Sequence, residues 1–304
     1  MTKPTNESVA GRAYLGLRRR AMAAGRPVDE YLRLYALEGF LLRLSRSEHR
    51  DRFVLKGGVL LAAHDLRRPT TDIDVAALRV SNDAEEMRQL VVTVAATRLP
   101  DEEDDGLVFD LSDVRAEIIR DEDAYSGVRV KLLATLATAR LPFHIDVNVG
   151  DPIWPAPAHI SIPRLLGGDP ITLNGYRLEL SIAEKVVTAL QRGVASTRWR
   201  DFADLYLVSR NVPFVAGELR EAARVVADHR GVAIQPLSGP LEGYGAIGQR
   251  DWVRWRGRNR LEAALPASFD EVVAAVLEFI DPVLDGLLHA LAEWDPASTR
   301  WATR

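Results

Sequence analysis

Two segments of this chain alternate apolar and polar residues with the period of a β-strand. In Thr71-Asp72-Ile73-Asp74-Val75 the apolar positions are Ile73 and Val75, and in Phe143-His144-Ile145-Asp146-Val147-Asn148-Val149 they include Phe143, Ile145 and Val147. Successive side chains of a strand point to opposite faces. Asp72 and Asp74 therefore project side by side from the first segment, and Asp146 projects from the polar face of the second. If the two strands are neighbours, three carboxylates meet on one face of a sheet. His144 reads as turned to the other face from Asp146, in a structural role, and no histidine ligand is expected.

The rest of the chain supplies further strands and helices. Apolar positions at helical spacing predict helices over 8 to 24 and 28 to 46, the second carrying Tyr31, Leu34, Leu37 and Leu41. Phe53-Val54-Leu55 predicts a short strand stopped by Gly57-Gly58, followed by helical composition from Val59 to Leu66, a helix over 82 to 98 and an acidic loop at 101 to 105. Val114 to Ile119, Val128 to Leu133 and Phe143 to Val149 read as consecutive antiparallel strands. Beyond a Pro-rich connection at 151 to 163, helices are predicted at 181 to 192, 201 to 210, 215 to 229 and 268 to 293. The expected fold class is α/β, a small mixed sheet with flanking helices plus a mainly helical C-terminal domain. Its expected parts are an N-terminal helical arm at 1–48, a catalytic sheet domain at 49–160 and a helical domain at 161–304 that brings Lys185 and Asp201 to the cleft.

Composition narrows the chemistry. With 304 residues, 47% of them hydrophobic, the chain can bury a sizeable core. It has no cysteine, so a metal must be held by carboxylate oxygen or imidazole, and hard cations are the natural candidates. No apolar run reaches membrane-spanning length and the N-terminus lacks a signal-peptide pattern, so a cytoplasmic protein with no membrane partner is expected. A net charge of -4 argues against indiscriminate coating of nucleic acid. Charge is nevertheless segregated: residues 1 to 52 carry eleven Lys or Arg against six acids, and 101 to 123 carry eleven acids against two Arg. Of 39 basic residues 35 are Arg, which singles out the four lysines, Lys3, Lys56, Lys131 and Lys185.

Three convergent carboxylates repel one another unless a cation neutralises them. A pair of Mg²⁺ ions about 3.5 to 4 Å apart is the known solution for phosphoryl and nucleotidyl transfer. The plainer alternative is a row of solvated acids on an exposed sheet face. Upstream, Lys56-Gly57-Gly58 ends a strand and opens a helix, where bare backbone N–H groups and glycine let a phosphate approach. Gly-Gly, a short helix and then Asp-x-Asp would return the chain from a phosphate loop to a metal site.

Taken together, Lys56-Gly57-Gly58, Arg68-Pro69-Thr70-Thr71-Asp72-Ile73-Asp74, Ile145-Asp146-Val147, Glu184-Lys185 and Arg200-Asp201-Phe202-Ala203-Asp204-Leu205-Tyr206 resemble the AbiEii/AbiGii toxin family, including the mycobacterial MenT toxins. These are DNA polymerase β-like nucleotidyltransferases. The resemblance spans roughly residues 50 to 210, with the motifs in order. It implies Asp72, Asp74 and Asp146 as metal ligands for Mg²⁺ or Mn²⁺, nucleotide contacts by Lys185, and a required aspartate in the Arg-Asp-x-x-Asp-Leu motif, for which Asp201 is the stronger choice. Lys56, Gly57, Gly58, Thr71 and Asp204 complete the expected nucleotide site. It further implies transfer of a nucleoside monophosphate from an NTP, CTP or another pyrimidine nucleotide, to the 3′ end of tRNA, blocking aminoacylation and translation. A cognate antitoxin is the expected protein partner, and a monomer the expected state.

Several residues keep two readings. Ser181 and Glu184 form a capping box if a helix starts there. Asp201 and Asp204 share a helix face, able to hold Lys185 and Arg200 or to reach substrate. Lys131 reads as a sheet lysine. Arg254, Trp255, Arg256 and Arg258 belong to a segment with arginine for phosphates and indole for stacking, or to an amphipathic helix with half-buried tryptophans. Arg18, Arg19 and Arg20 offer another surface for RNA. The competing functions are a protein AMP- or UMP-transferase and a catalytically silent RNA- or protein-binding module.

Overall fold

The two alternating segments form strands, and the strands are neighbours. A computed structural model describes residues 3–120 and 126–302, so Asp121, Glu122 and Asp123, the end of the acidic run, lie outside the described residues. The chain divides into two units, Met1–Asp151 with Pro157–Tyr176, and Pro152–Ala156 with Arg177–Arg304. The first unit includes the helices at the N-terminus.

In the first unit the order is α1 (Val9–Ala23), α2 (Val28–Arg46), β1 (Phe53–Lys56), α3 (Gly57–Leu60), β2 (Asp72–Ala77), α4 (Ala84–Ala95), β3 (Leu107–Arg120), β4 (Ser126–Leu136), β5 (Ala139–Val149), β6 (Ala158–Ile162) and β7 (Ile171–Gly175). These strands make one mixed sheet in the order β3-β4-β5-β2-β1-β7-β6. β3, β4 and β5 form the expected antiparallel run, while β2 joins β5 in parallel. A parallel pair needs a long crossover; here α4, β3 and β4 provide it. Ser8 and Asp83 cap α1 and α4, accepting the N–H groups of Gly11 at 3.0 Å and Glu86 at 2.8 Å. Phe40 of α2 meets Phe109 of β3 and Phe143 of β5 edge-on, with ring centres 6.4 and 6.2 Å away. That apolar layer leaves the other sheet face for charge.

The second unit holds α5 (Leu178–Arg192), α6 (Trp199–Asn211), β8 (Phe214–Val215), α7 (Ala216–Arg230), α8 (Tyr244–Arg258), α9 (Phe269–Leu284), β9 (Glu293–Asp295) and β10 (Arg300–Ala302). Its three short strands pair in the order β10-β9-β8.

Several local expectations give way. The helix expected over Val59 to Leu66 is one turn of α3 followed by a 3₁₀ turn, Leu61–His64. The helix expected over 268 to 293 stops at Leu284, two residues before Gly286 takes a left-handed φ of 77°. Ser181 caps nothing: α5 begins at Leu178 because Leu178 and Leu180 are buried and extend the helix, so Ser181 lies inside it. β6 falls within the Pro-rich connection, and neither it nor β7 was anticipated.

Candidate active site

Register assembles the first charged cluster. Along the parallel β2–β5 pairing Asp74 stands opposite Asp146, and Asp72 opposite His144. Ile73, Val75, Ile145 and Val147 are buried on the apolar side, which turns the three aspartates to one face. Asp72 and Asp74 are half-buried, and Asp146 is 8% exposed. His144 corrects the expectation that it faces away: positions 144 and 146 are two apart, so one strand presents both on the same side. Its Nε2 lies 3.8 Å from an Asp146 oxygen and 3.9 Å from an Asp72 oxygen.

The cluster has further neighbours. The Thr70 hydroxyl donates to Asp72. On β1, Lys56 stands opposite Asp74. Its Nζ lies 3.4 Å from Asp151 Oδ2 and 5.3 Å above the Tyr176 ring. Gly57 has a φ of 69°, and a Cβ there would fall 1.9 Å from Asp74 Oδ2. Any side chain would thus displace the carboxylate. A Cβ on Gly58 would fall 2.9 Å from the buried Arg68 guanidinium, so each glycine admits a charged group to the turn. Thr71 is exposed immediately before β2.

Arg129, on β4 directly across from Asp146, had been overlooked in the sequence. Its Nε and Nη2 donate to the two Asp146 oxygens at 2.7 Å each. Those bonds hold the guanidinium above its ordinary pKa range. A basic residue alternating in phase with the polar face of β4 was the available signal; the strand-to-strand register that makes it a partner of Asp146 was not. Lys131 is exposed and pairs with Glu117 at 2.7 Å, as a sheet lysine.

The donor set suits a hard divalent cation: carboxylate oxygens with one imidazole nearby. The cradle left by Gly57 keeps the Asp74 carboxylate close to the turn. Among the described residues no three acid or histidine side chains are gathered into a ready coordination sphere. That agrees with Arg129 engaging both oxygens of Asp146.

The second cluster is built by helices. Lys185 of α5 donates to Asp201 Oδ1 and Asp204 Oδ2 of α6, each at 2.9 Å. Asp204 is 1% exposed, and Arg198 approaches Asp201 at 3.7 Å. Both aspartates therefore hold the lysine, while Arg200 is exposed. On α8, Trp252 is fully buried, donates to the Pro266 carbonyl at 3.1 Å and stacks on Phe269. Trp255 is half-buried and stacks on Trp252. Arg256 donates to the carbonyls of Leu265 and Glu262, both at 2.9 Å. Arg254 and Arg258 remain exposed.

Compared with known proteins, residues 39–275 match the family described as nucleotidyl transferase AbiEii toxin, type IV TA system. Two crystal structures from Helicobacter pylori, one of a candidate nucleotidyltransferase and one of JHP933, align at 15% identity and a TM-score of 0.47. The alignments cover 83% of this chain and 95% and 91% of those chains. No curated protein matches.

Proposed function

The chain belongs to the AbiEii nucleotidyltransferase toxin family of type IV toxin–antitoxin systems, and we propose that Asp72, Asp74 and Asp146 hold Mg²⁺ or Mn²⁺ for transfer of a nucleoside monophosphate from an NTP to the 3′ end of tRNA. The observation that carries this reading is the register setting Asp74 beside Asp146 on neighbouring strands. Like charges so placed are unfavourable, and a divalent cation offsets the repulsion. When bound, such ions activate the attacking hydroxyl and neutralise the pyrophosphate leaving group.

The remaining roles fall to the chain's own groups. The Gly57-Gly58 turn, whose missing side chains let Asp74 and Arg68 close in, offers Lys56 and Arg68 as the cations for a phosphate. Lys185 supplies a compact point charge suited to a triphosphate, with Asp201 and Asp204 fixing its direction. The acceptor hydroxyl gives up its proton to solvent as its oxygen attacks the α-phosphorus, the bond to the bridging oxygen breaks, and pyrophosphate leaves. A pyrimidine donor, a tRNA acceptor and a cognate antitoxin rest on the family resemblance. Along the described chain no helix is long and apolar enough to cross a membrane.

Incubating the protein with labelled NTPs and separated tRNA and protein fractions tests the reading. Label at tRNA 3′ ends, with CTP or UTP preferred, is expected. Label in protein alone makes the chain a protein AMP- or UMP-transferase. Growth arrest unchanged by Asp72→Ala with Asp74→Ala makes it a binding module.

A further inference from the structure

The acidic face is crossed by a row of residues in register on four strands: Glu117 on β3, Arg129 on β4, Asp146 on β5 and Asp74 on β2. Asp146 has a guanidinium on one side and a like charge on the other. Arg129 grips it with two bonds of 2.7 Å, the fork geometry that makes arginine–carboxylate pairs the strong kind. The Asp146 side chain is 12% exposed and that of Arg129 33%, so the arginine reaches a shielded carboxylate from the more open side.

A divalent cation on the same carboxylate would stand within a few ångströms of the guanidinium, and the two positive charges oppose each other. We infer that Arg129 is a positioning residue that keeps Asp146 oriented and neutralised, and gives it up when a divalent cation takes the carboxylate. The inference rests on the reading of Asp146 as a metal-holding residue. Once released, Arg129 has as the next anion in the row Glu117, its neighbour across the β3–β4 pairing, which it would share with Lys131. Arg129 thus lowers the cation affinity of the nucleotide-free protein, because binding must first break a charge-assisted pair.

Mn²⁺ binding to the full chain without nucleotide, followed by electron paramagnetic resonance, tests this. Arg129→Gln is expected to bind Mn²⁺ about tenfold more tightly than the parent, the size of effect set by one charge-assisted pair. Arg129→Lys should fall between, because an ammonium keeps the charge and loses the two-pronged grip. A merely structural arginine would lower the melting temperature and leave Mn²⁺ affinity where it was. That outcome, or weaker binding in the Gln variant, overturns the inference. Should Arg129→Gln not fold, Arg129→Lys decides alone: tighter than the parent supports the inference, equal or weaker rejects it. An Asp72→Asn, Asp74→Asn chain separates the two readings. Mn²⁺ binding unaffected by that pair removes the metal site and this inference with it; binding lost there but indifferent to Arg129 removes this inference alone.

Discussion

The two charged clusters are made from the same residue types and differ in order. In the sheet, acids are neighbours: Asp74 is beside Asp146 across the strands and two residues from Asp72 along one. In the helical unit a cation stands between them, with Lys185 bonded at 2.9 Å to both Asp201 and Asp204. In the helical cluster the cation and both acids come from one unit and pair directly. The sheet cluster sets Asp74 directly beside Asp146, a like-charge pairing that is unfavourable even with Arg129 bonded to Asp146. Stability should therefore be sensitive at the second site and activity at the first.

The largest expected effect tests the sheet side. Asp74→Asn keeps the shape of a half-buried side chain and should lower NMP transfer by at least about 10²- to 10³-fold, the scale of losing one electrostatic group at a reacting centre. Its melting temperature should change little, because the repulsion from Asp146 is relieved while the attraction of Lys56, opposite on β1, is lost. A clear fall in melting temperature would make these acids structural and erase the contrast.

Lys185→Met tests the helical side. Removing the ammonium leaves Asp204, at 1% exposure, and Asp201 without the cation they share, a change that costs about 3 to 5 kcal/mol at buried pairs. Chemical denaturation of the variant should show that loss. A chain as stable as the parent would mean that the lysine is held for substrate alone.

A smaller effect separates geometry from charge. Gly57→Ala should cost about 1 to 2 kcal/mol from the left-handed backbone. It should also lower transfer, by about tenfold, through displacement of Asp74. Gly25, at a φ of 63° with nothing within 4 Å of its would-be Cβ, is the control. Gly25→Ala should share the strain and spare the activity. Equal transfer in both variants would show that Gly57 matters only as a turn.

Much of the sheet cluster was legible because β2 and β5 carry their pattern in single short segments. Period-2 alternation places Asp72, Asp74 and Asp146 without knowledge of any partner strand. The same rule, correctly counted, places His144 with them. Arg129 was not legible, since its role depends on which β4 residue falls opposite Asp146. Helix spacing put Asp201 and Asp204 on one face, but their shared hold on Lys185 depends on how α5 meets α6. On α8 the Arg/Trp composition is compatible with either a nucleic-acid surface or a packed helix. Trp252, buried against Phe269, is committed to packing.

Glu38 brings the contrast down to a single carboxylate. It is 4% exposed on α2, almost as covered as Asp204, and accepts the Leu165 N–H at 2.8 Å. Arg164 Nε is 3.6 Å from it, against 2.9 Å for Lys185 and Asp204. Burial pushes the Glu38 carboxyl up to about 7, against the opposing pull of the Leu165 N–H, Arg67 and Arg164. In the unfolded chain it ionises near its ordinary value of 4.5, so across pH 4.5 to 7 the folded form binds the extra proton. Its contribution to stability is therefore fully present below 4.5 and is lost as pH rises through about 7, at up to about 1.4 kcal/mol per pH unit. Glu38→Gln keeps the shape and cannot ionise, so melting temperatures of parent and variant across that window should diverge as pH rises, the parent falling. Parallel curves would mean that Glu38 is ionised throughout, held by Arg164 and Arg67 much as Asp204 is held by Lys185. A cation 0.7 Å more distant would then suffice to keep a buried acid charged, and the two units would treat their covered carboxylates alike.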